Sequence, residues 1–220
     1  MNEAQLREEI CRVGKSLFDR GYVHATAGNI SCRLDDGFLI TPTDACLGLL
    51  DPARLARVDA NGIHVDGDRP SKTLALHRKI VESASIHDPD TRCVIHTHST
   101  HCVSVSLGSL QDELLAPITP YFVMKVGHVP HIRYHRPGAA EAANEVAHTV
   151  ARFGAAGTPI RAVMLNRLGP VVWHDSPAEA MTVLEELEET ARLTLLAREP
   201  LQPLDERAIE ELRANFGARW

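Results

Sequence analysis

The sequence feature that most constrains the fold is the mixture of strand hairpins with amphipathic helices. The turn Asp59-Ala60-Asn61-Gly62 separates short strands predicted at 56–58 and 63–65, and Asn-Gly is a strong hairpin signal. Strands predicted at 162–165 and 170–173 pair across a second turn. Because hairpins place neighbouring strands antiparallel, this mixture favours a layered α/β fold with a mixed sheet over a purely parallel, doubly wound fold.

Helical periodicity and capping signals predict the helices around this sheet. Apolar residues at Leu6, Ile10, Val13 and Leu17 predict a helix over 2–20, with Asn2 as its cap. The stretch Ser176-Pro177-Ala178-Glu179 is a capping box with proline at the first helical position, which is typical of the start of a long helix. Further helices are predicted at 74–84, from about 99, at 139–153 and at 205–216, and further strands at 38–41 and 93–95.

Length, charge and cysteine content limit the classes of function. At 220 residues the chain can bury one core, so we predict a single domain over 1–220. The net charge of −6 and the pI near 6.0 argue against a nucleic-acid partner but are compatible with a small anionic substrate. Residues 1–5 do not resemble a signal peptide, and no apolar run approaches the roughly 18 residues of a membrane span. The 5 cysteines form no C-x-x-C pair, which fits reduced thiols, so we expect a cytoplasmic protein with no membrane partner.

Two histidines follow the predicted buried strand at 93–95. In an extended chain, His96 and His98 point to the same side with their backbones roughly 6–7 Å apart. Two imidazoles in this arrangement can converge on one metal ion at about 2 Å from each nitrogen. The alternative is a polar strand end whose histidines hydrogen-bond to neighbouring loops.

Three short polar stretches predict a binding site for an anion. The stretch Thr26-Ala27-Gly28-Asn29-Ile30-Ser31 suits a turn whose backbone N–H groups and hydroxyls face a phosphate. The stretches Thr41-Pro42-Thr43-Asp44 and Pro70-Ser71-Lys72 each lie at the edge of an element, and Lys72 offers a charge-assisted hydrogen bond. The alternatives are an ordinary turn between helix and strand, and a solvated loop lysine.

Taken in order, the stretches T-A-G-N-I-S, L-I-T-P-T, P-S-K and V-I-H-T-H-S-T-H resemble the class II aldolase/adducin family over nearly the whole chain. Residues 118–127 and 185–192 are similar to its 3-oxo-tetronate 4-phosphate decarboxylase branch. The resemblance implies a three-layer α/β/α fold with a central mixed, mostly antiparallel sheet. It also implies a homotetramer with active sites at subunit interfaces, where three histidines hold a Zn²⁺ that polarises a carbonyl and stabilises an enediolate.

The resemblance assigns roles to individual positions of this chain. His96 and His98 match two of the metal ligands, and Tyr121 matches a tyrosine that donates a proton from the neighbouring subunit. The implied phosphate-binding residues are Thr26, Gly28, Asn29, Thr43 and Ser71, with Asp44 and Lys72 beside them. Together they are called the phosphate cradle.

Two positions depart from the family pattern. The family motif P-S-x-E has its acid/base glutamate where this chain has Thr73, whose hydroxyl cannot hold a negative charge or carry a proton near neutral pH. The third ligand histidine lies in N-H-G-P-V-V, where this chain has Leu168. Two imidazoles alone should hold zinc more weakly than a complete site. Arg167 could place fixed positive charge where the metal would lie, and its alternative is a surface arginine at a turn.

Other histidines are candidates for the missing ligand. His174 is on the order of 20 Å along a strand from Leu168, which makes it a poor candidate. His77 and His101 are expected to be buried histidines with their hydrogen bonds satisfied. The sequence does not fix where the cluster His128, His131 and His135 lies.

Three functions are compatible with these residues. The first is a lyase that decarboxylates or cleaves a small phosphorylated sugar acid or ketose, with a divalent metal expected to be Zn²⁺. The second is a metal-independent enzyme in which His96, His98, Tyr121 and Arg167 supply acid/base and charge-stabilising groups. The third is an adducin-like binding protein without catalysis. The phosphate cradle and the family resemblance favour the lyase.

Overall fold

Eight strands form the centre of the fold in the computed structural model, which describes residues 1–108 and 111–220. They are β1 (Asn29–Leu34), β2 (Gly37–Ile40), β3 (Ala56–Asp59), β4 (His64–Asp66), β5 (Cys93–His96), β6 (His131–Ile132), β7 (Ala162–Leu165) and β8 (Gly169–His174). Their order in the sheet is β4-β3-β2-β1-β5-β8-β7-β6. Every neighbouring pair is antiparallel except β6 with β7, so the predicted mixed, mostly antiparallel sheet is confirmed.

Helices cover both faces of the sheet. They are α1 (Glu3–Asp19), α2 (Leu74–Ala84), α3 (Thr100–Gly108), α4 (Ala140–Ala155), α5 (Pro177–Leu196) and α6 (Glu206–Phe216). On one face, Ile10 of α1 and Leu184 of α5 pack with Ile95 of β5 in a core cluster. On the other, Ile80 of α2 and Val146 of α4 belong to a second cluster. The three-layer α/β/α arrangement is therefore confirmed. Within the described residues, no helix is long and apolar enough to cross a membrane.

The predicted helix starts are confirmed by their caps. The Asn2 side chain accepts the Gln5 N–H at 2.9 Å, and the Gln5 side chain accepts the Asn2 N–H at 3.0 Å. At the start of α5, the Ser176 hydroxyl accepts the Glu179 N–H at 3.3 Å. These bonds satisfy N–H groups that the first turn of a helix leaves unpaired.

Two strands were absent from the sequence prediction. The stretch beginning at Thr26 was interpreted as a turn, but from Asn29 the chain continues as β1, which pairs with both β2 and β5. The first four residues of β1 are all buried, so the strand lacks the alternation of polar and apolar residues that marks a half-exposed strand. Strand β6 has only two residues and gives no periodic signal.

The centre of the sheet places two predicted functional segments side by side. Asn29 at the start of β1 lies directly opposite His96 at the end of β5. Gly28 has φ +84, and a Cβ on it would lie 2.9 Å from the carbonyl oxygen of His96. Only a glycine fits this approach without displacing β5. The turn before β1 and the histidine pair after β5 are thus held against each other by the main chain.

Candidate functional site

One cavity of about 440 Å³ contains most of the predicted site residues. Its walls come from the turn before β1, the segment after β2, the start of α2, the end of β5 and the segment between β6 and α4. The predicted residues that line it are Thr26, Gly28, Asn29, Thr43, Asp44, Ser71, Lys72, Thr73, His96 and His98. The three polar stretches and the histidine pair therefore converge on one space, large enough for a small phosphorylated molecule.

Main-chain hydrogen bonds hold the three polar stretches together. The Thr41 N–H donates to the Ile30 carbonyl at 2.9 Å, which joins the first stretch to the second. The Thr43 N–H donates to the Arg69 carbonyl at 2.9 Å, and the Ser71 N–H donates to the Thr41 carbonyl at 3.3 Å. This network sets the shape of the cavity wall independently of any ligand.

Side-chain hydrogen bonds orient the polar groups of the wall. The Thr73 hydroxyl donates to the Asn29 side-chain oxygen at 2.8 Å, so the Ser71 hydroxyl, 3.0 Å away, donates to Thr73. Among residues 1–108 and 111–220 the Asn29 side-chain NH₂ group has no hydrogen-bond acceptor, so it can donate to a ligand. In the part of the chain that the structure describes, Lys72 and the hydroxyls of Thr26 and Thr43 have no hydrogen-bond partner. These donors suit a phosphate group, as the sequence predicted.

The two histidines present neutral imidazoles. His96 Nδ1 lies 2.9 Å from the carbonyl oxygen of Pro170, which can only accept, so Nδ1 carries the proton and Nε2 carries a lone pair. Burial, with repulsion from His98, lowers the pKa of His96 to about 4. Burial, with electrostatic repulsion from His24, also lowers the pKa of His98. The ring centroids of His96 and His98 are 5.1 Å apart. Near pH 7 the pair can accept a proton or bind a metal, but it adds no positive charge.

The residues around this pair do not complete a metal centre. Leu168 lines the cavity and packs against the core cluster that contains Ile80 and Val146, so an apolar side chain stands where the family pattern has a ligand. Over residues 1–108 and 111–220 there is no group of three or more His, Cys, Asp or Glu side chains that could hold a metal ion. His24, which the sequence analysis did not consider, has its ring centroid 6.4 Å from that of His98 and does not change this result.

The other candidate histidines have separate partners. His174 pairs with Cys93 at the opposite end of β5 from His96, which agrees with its predicted distance from the site. His101 Nδ1 lies 2.8 Å from Glu188 Oε1, although the side chain is half-buried rather than buried. His77 Nδ1 lies 2.7 Å from the Ser31 hydroxyl, but its buried Nε2 has no hydrogen-bond partner among the described residues. The expectation that both ring nitrogens of His77 are hydrogen-bonded was therefore wrong.

Two predicted catalytic residues do not line this cavity. Tyr121 is 61% exposed and precedes a π-helical turn over Phe122–Val126. Arg167 is an exposed residue with φ +65, and its backbone N–H donates to the Ser106 hydroxyl at 3.3 Å. The position of Arg167 fits the alternative of a surface arginine at a turn. The structure does not bring either side chain to the histidine pair of the same chain, and their roles stay predictions.

The sequence analysis missed a basic part of the cavity wall. Arg133, His135 and Arg136, between β6 and α4, all line the cavity. His128 lies elsewhere, with Nδ1 2.7 Å from Glu113 and its ring stacked on Trp220. A usable signal was present, since the basic run 133–136 directly precedes Pro137, Gly138 and a predicted helix. Nothing local in that run connects it with a turn about a hundred residues earlier.

Comparison with known families agrees with the geometry. The family described as "Class II Aldolase and Adducin N-terminal domain" matches residues 8–195, which is most of the chain. This chain belongs to the class II aldolase family. A 3-oxo-tetronate 4-phosphate decarboxylase of Cupriavidus necator is 51% identical over 225 residues, covering 99% of both chains. An L-fuculose phosphate aldolase of Methanocaldococcus jannaschii is 30% identical over 190 residues, covering 86% of this chain and 96% of the other.

Solved structures share the fold. YgbL from Klebsiella pneumoniae has a TM-score of 0.83 and 40% identity, covering 97% of this class II aldolase-family chain and 100% of its own. An L-fuculose 1-phosphate aldolase has a TM-score of 0.81 at 22% identity and covers 97% of this chain and 96% of its own, which supports the fold alone. Class II aldolases are generally metal-dependent. The roles that the sequence resemblance implies for positions 73 and 168 stay predictions.

Proposed function

We propose that this chain is a carbon–carbon lyase that decarboxylates a 3-oxo-tetronate 4-phosphate or a closely related phosphorylated sugar acid. The observation that carries the proposal is the convergence of the whole predicted phosphate cradle and both histidines on one cavity. Five relatives at 36–51% identity are named 3-oxo-tetronate 4-phosphate decarboxylase, which supports this substrate class. Relatives named as aldolases make retro-aldol cleavage of a ketose phosphate the neighbouring reaction, which also leaves an enediolate.

The reaction requires little from the protein beyond orientation and charge stabilisation. The carboxylate of a 3-oxo acid leaves as CO₂, and the electron pair of the broken bond moves into the adjacent ketone to give an enolate. Protonation at carbon then gives a ketone, here dihydroxyacetone phosphate. Hydrogen-bond donors at the ketone oxygen lower the barrier because they stabilise the negative charge that develops there.

The residues of the cavity can supply binding and several of these donors. The free NH₂ group of Asn29, the Lys72 ammonium and the threonine hydroxyls are donors for the phosphate and for oxygens near it. The unprotonated Nε2 of His96 can accept a proton. The Thr73 hydroxyl donates a hydrogen bond to the Asn29 side-chain oxygen and therefore orients the cradle, where the family glutamate would act as an acid or base.

The Zn²⁺ predicted at His96 and His98 remains part of this proposal as a weakly bound ion, because the pair supplies only two ligands. A bound divalent metal would polarise the substrate ketone, but this pair would need a further donor such as water or the substrate itself. Metal analysis of the purified wild type beside His96→Ala tests this point. Near-stoichiometric zinc that is lost in the variant would support a metal site, and its absence from both would favour the metal-independent enzyme.

We also propose the assembly and location that the family resemblance implies, a cytoplasmic homotetramer with sites at subunit interfaces. The large exposure of Tyr121 outside its own chain's cavity supports a role for this residue in the site of a neighbouring subunit. Size-exclusion chromatography with light scattering tests the assembly. A monomer that retained full activity would remove the interface role.

The lyase proposal is tested by incubating the wild type with 3-oxo-tetronate 4-phosphate and following release of dihydroxyacetone phosphate. We expect turnover that falls at least tenfold in Lys72→Met, since a charge-assisted hydrogen bond contributes about 1.5–3 kcal/mol. The matched control is Lys79→Met, because Lys79 lies on α2 and does not line the cavity. Turnover that is unaffected by loss of Lys72 would contradict the proposed role of the cradle.

A second candidate function is a binding protein without catalysis. Thr73 and Leu168 favour it, because both replace groups that the family uses for chemistry while the cradle is retained. Tight binding of 3-oxo-tetronate 4-phosphate by the wild type, with no product in a prolonged incubation with or without added zinc, would establish this alternative and overturn the lyase.

A further inference from the structure

The cavity has a second basic region, separate in sequence from the phosphate cradle. Arg133, His135 and Arg136 lie on the segment that connects β6 to α4. None of them belongs to the three polar stretches that the sequence predicts to bind phosphate. The second basic region is therefore a candidate for contact with another part of the ligand.

The charges of this region are unequally compensated. Arg133 Nε donates to Glu145 Oε2 at 2.9 Å, and His135 Nε2 lies 2.7 Å from the same oxygen. Burial alone would raise the pKa of Glu145, but the hydrogen bonds from His135 and Arg133 and the charge of Arg133 hold it below its ordinary value. Glu145 therefore neutralises Arg133 and holds His135. Throughout residues 1–108 and 111–220, no carboxylate lies within 4.0 Å of the Arg136 guanidinium.

Lys72 also has no carboxylate partner in the described chain, and Asp44 is the acidic residue that lines the cavity. The cavity thus presents two uncompensated cations, one in the cradle and one on a different segment of the wall. A ligand with two anionic groups would use both.

The start of α4 adds to the same region. Its cap position is Ala139, which provides no side-chain hydrogen bond, and Ala139, Ala140 and Ala143 line the cavity. The first N–H groups of a helix have no partner within the helix and favour negative charge. The start of α4 therefore borders the cavity next to Arg136 and carries only small side chains at these lining positions.

We propose that Arg136, with the first turn of α4, binds the carboxylate of the substrate while the cradle and Lys72 bind its phosphate. This inference rests on the proposed function for the identity of the ligand, a phosphorylated sugar acid with a carboxylate at one end and a phosphate at the other. Arg136 is a specificity-determining residue, because it selects acids over ketose phosphates that have no carboxylate. Its guanidinium suits a carboxylate because it can donate two parallel hydrogen bonds.

The contact between Arg136 and the substrate carboxylate exists before the carbon–carbon bond breaks, and it ends when the carboxylate leaves as neutral CO₂. It therefore stabilises the bound substrate at least as well as the transition state. We expect Arg136→Gln to raise KM for the 3-oxo acid without lowering kcat. A purely structural defect would lower kcat as well.

The decisive experiment compares two ligands that share the phosphate and differ in the carboxylate. The first is erythronate 4-phosphate, a tetronate 4-phosphate without the 3-oxo group that decarboxylation needs, and the second is dihydroxyacetone phosphate. We expect Arg136→Gln to weaken calorimetric binding of erythronate 4-phosphate by roughly 10–100-fold, the range for loss of a charged hydrogen bond. Binding of dihydroxyacetone phosphate should stay within about twofold. The control is Arg152→Gln, an exposed arginine of α4 outside the cavity.

Each outcome separates this inference from the proposed function. Equal weakening of both ligands in Arg136→Gln would overturn the assignment, because Arg136 would then contact the phosphate. Unchanged binding of both ligands would overturn it as well. Selective loss of erythronate 4-phosphate would support the assignment even if the wild type showed no turnover of the 3-oxo acid, in which case the lyase proposal alone would fail. A wild type that bound neither ligand would overturn both.

Discussion

Replacement of Gly28 by alanine tests whether the cradle and the histidine pair are mechanically linked. Gly28 has φ +84, and an added Cβ would lie 2.8 Å from Val23 Cγ1 and 2.9 Å from the His96 carbonyl oxygen. A left-handed conformation costs an alanine about 1–2 kcal/mol. Overpacking in a tight site costs about 1–3 kcal/mol more. We therefore expect Gly28→Ala to lower the free energy of unfolding by about 2–5 kcal/mol.

Gly157 provides a matched control for the backbone part of this cost. Its φ is +86, almost the same as that of Gly28, but a Cβ built on it has no heavy atom within 4 Å. Gly157→Ala should therefore lose only the conformational part, about 1–2 kcal/mol. The difference between the two variants isolates the overlap with Val23 and His96.

Urea unfolding at pH 7 measures both variants, and calorimetry with dihydroxyacetone phosphate measures the cradle. We expect Gly28→Ala to unfold at lower urea concentration than Gly157→Ala with an unchanged m-value, and to bind the ligand more weakly. If the two variants were equally destabilised, the close approach of the turn to β5 would contribute nothing. If Gly28→Ala were destabilised but bound the ligand normally, the turn would not be part of the cradle.

Two further predictions concern the histidines. Leu168→His should place a third imidazole beside His96 and His98. In an equilibrium metal titration we expect this variant to bind zinc on the order of 100-fold more tightly than the wild type or a Leu168→Asn control. Equal zinc affinity would show that position 168 is not the missing ligand site. Acidification from pH 7 to pH 5 should lower the free energy of unfolding by about 3–4 kcal/mol. In the folded chain, burial lowers the pKa of His77 to about 3 and that of His96 to about 4. In the unfolded chain the same two histidines take up protons below about pH 6.5. This stability is present in full above about pH 6.5 and is lost as pH falls toward the folded pKa values. In urea unfolding, His77→Gln should therefore lose about half as much free energy of unfolding between pH 7 and pH 5 as the wild type. If the variant and the wild type showed the same pH dependence, a buried neutral His77 would be contradicted.

The convergence of the three polar stretches could be predicted from the sequence because its signals are local. Glycine, asparagine and hydroxyl residues at turns report directly on backbone conformation and hydrogen-bonding capacity. Each of the three polar stretches contains such residues, and each contributes some of them to the cavity wall. The hairpins and capped helices followed in the same way from short-range patterns.

The features that the sequence left out depend on tertiary contacts. β1 is buried on both faces, so it shows no alternation of polar and apolar residues. Arg136 reaches the cavity because α4 packs against α2, a contact between distant parts of the chain. The role predicted for Tyr121 is in the site of a neighbouring subunit, so it depends on contacts between chains. Local motifs thus predicted the part of the cavity wall formed by the polar stretches and the histidine pair. The part between β6 and α4 depends on tertiary packing.

The register between β1 and β5 has a consequence for how this site can change. Asn29 faces His96 across two antiparallel strands, and both side chains line the same cavity. Side chains alternate between the two faces of a sheet, so inserting or deleting one residue within β1, after Asn29, would turn one of the two away from the cavity. Substitutions such as those at Thr73 and Leu168 leave this spacing intact. The site should therefore tolerate changes of residue identity far better than changes of chain length, and new chemistry is best sought here by substitution on a fixed frame.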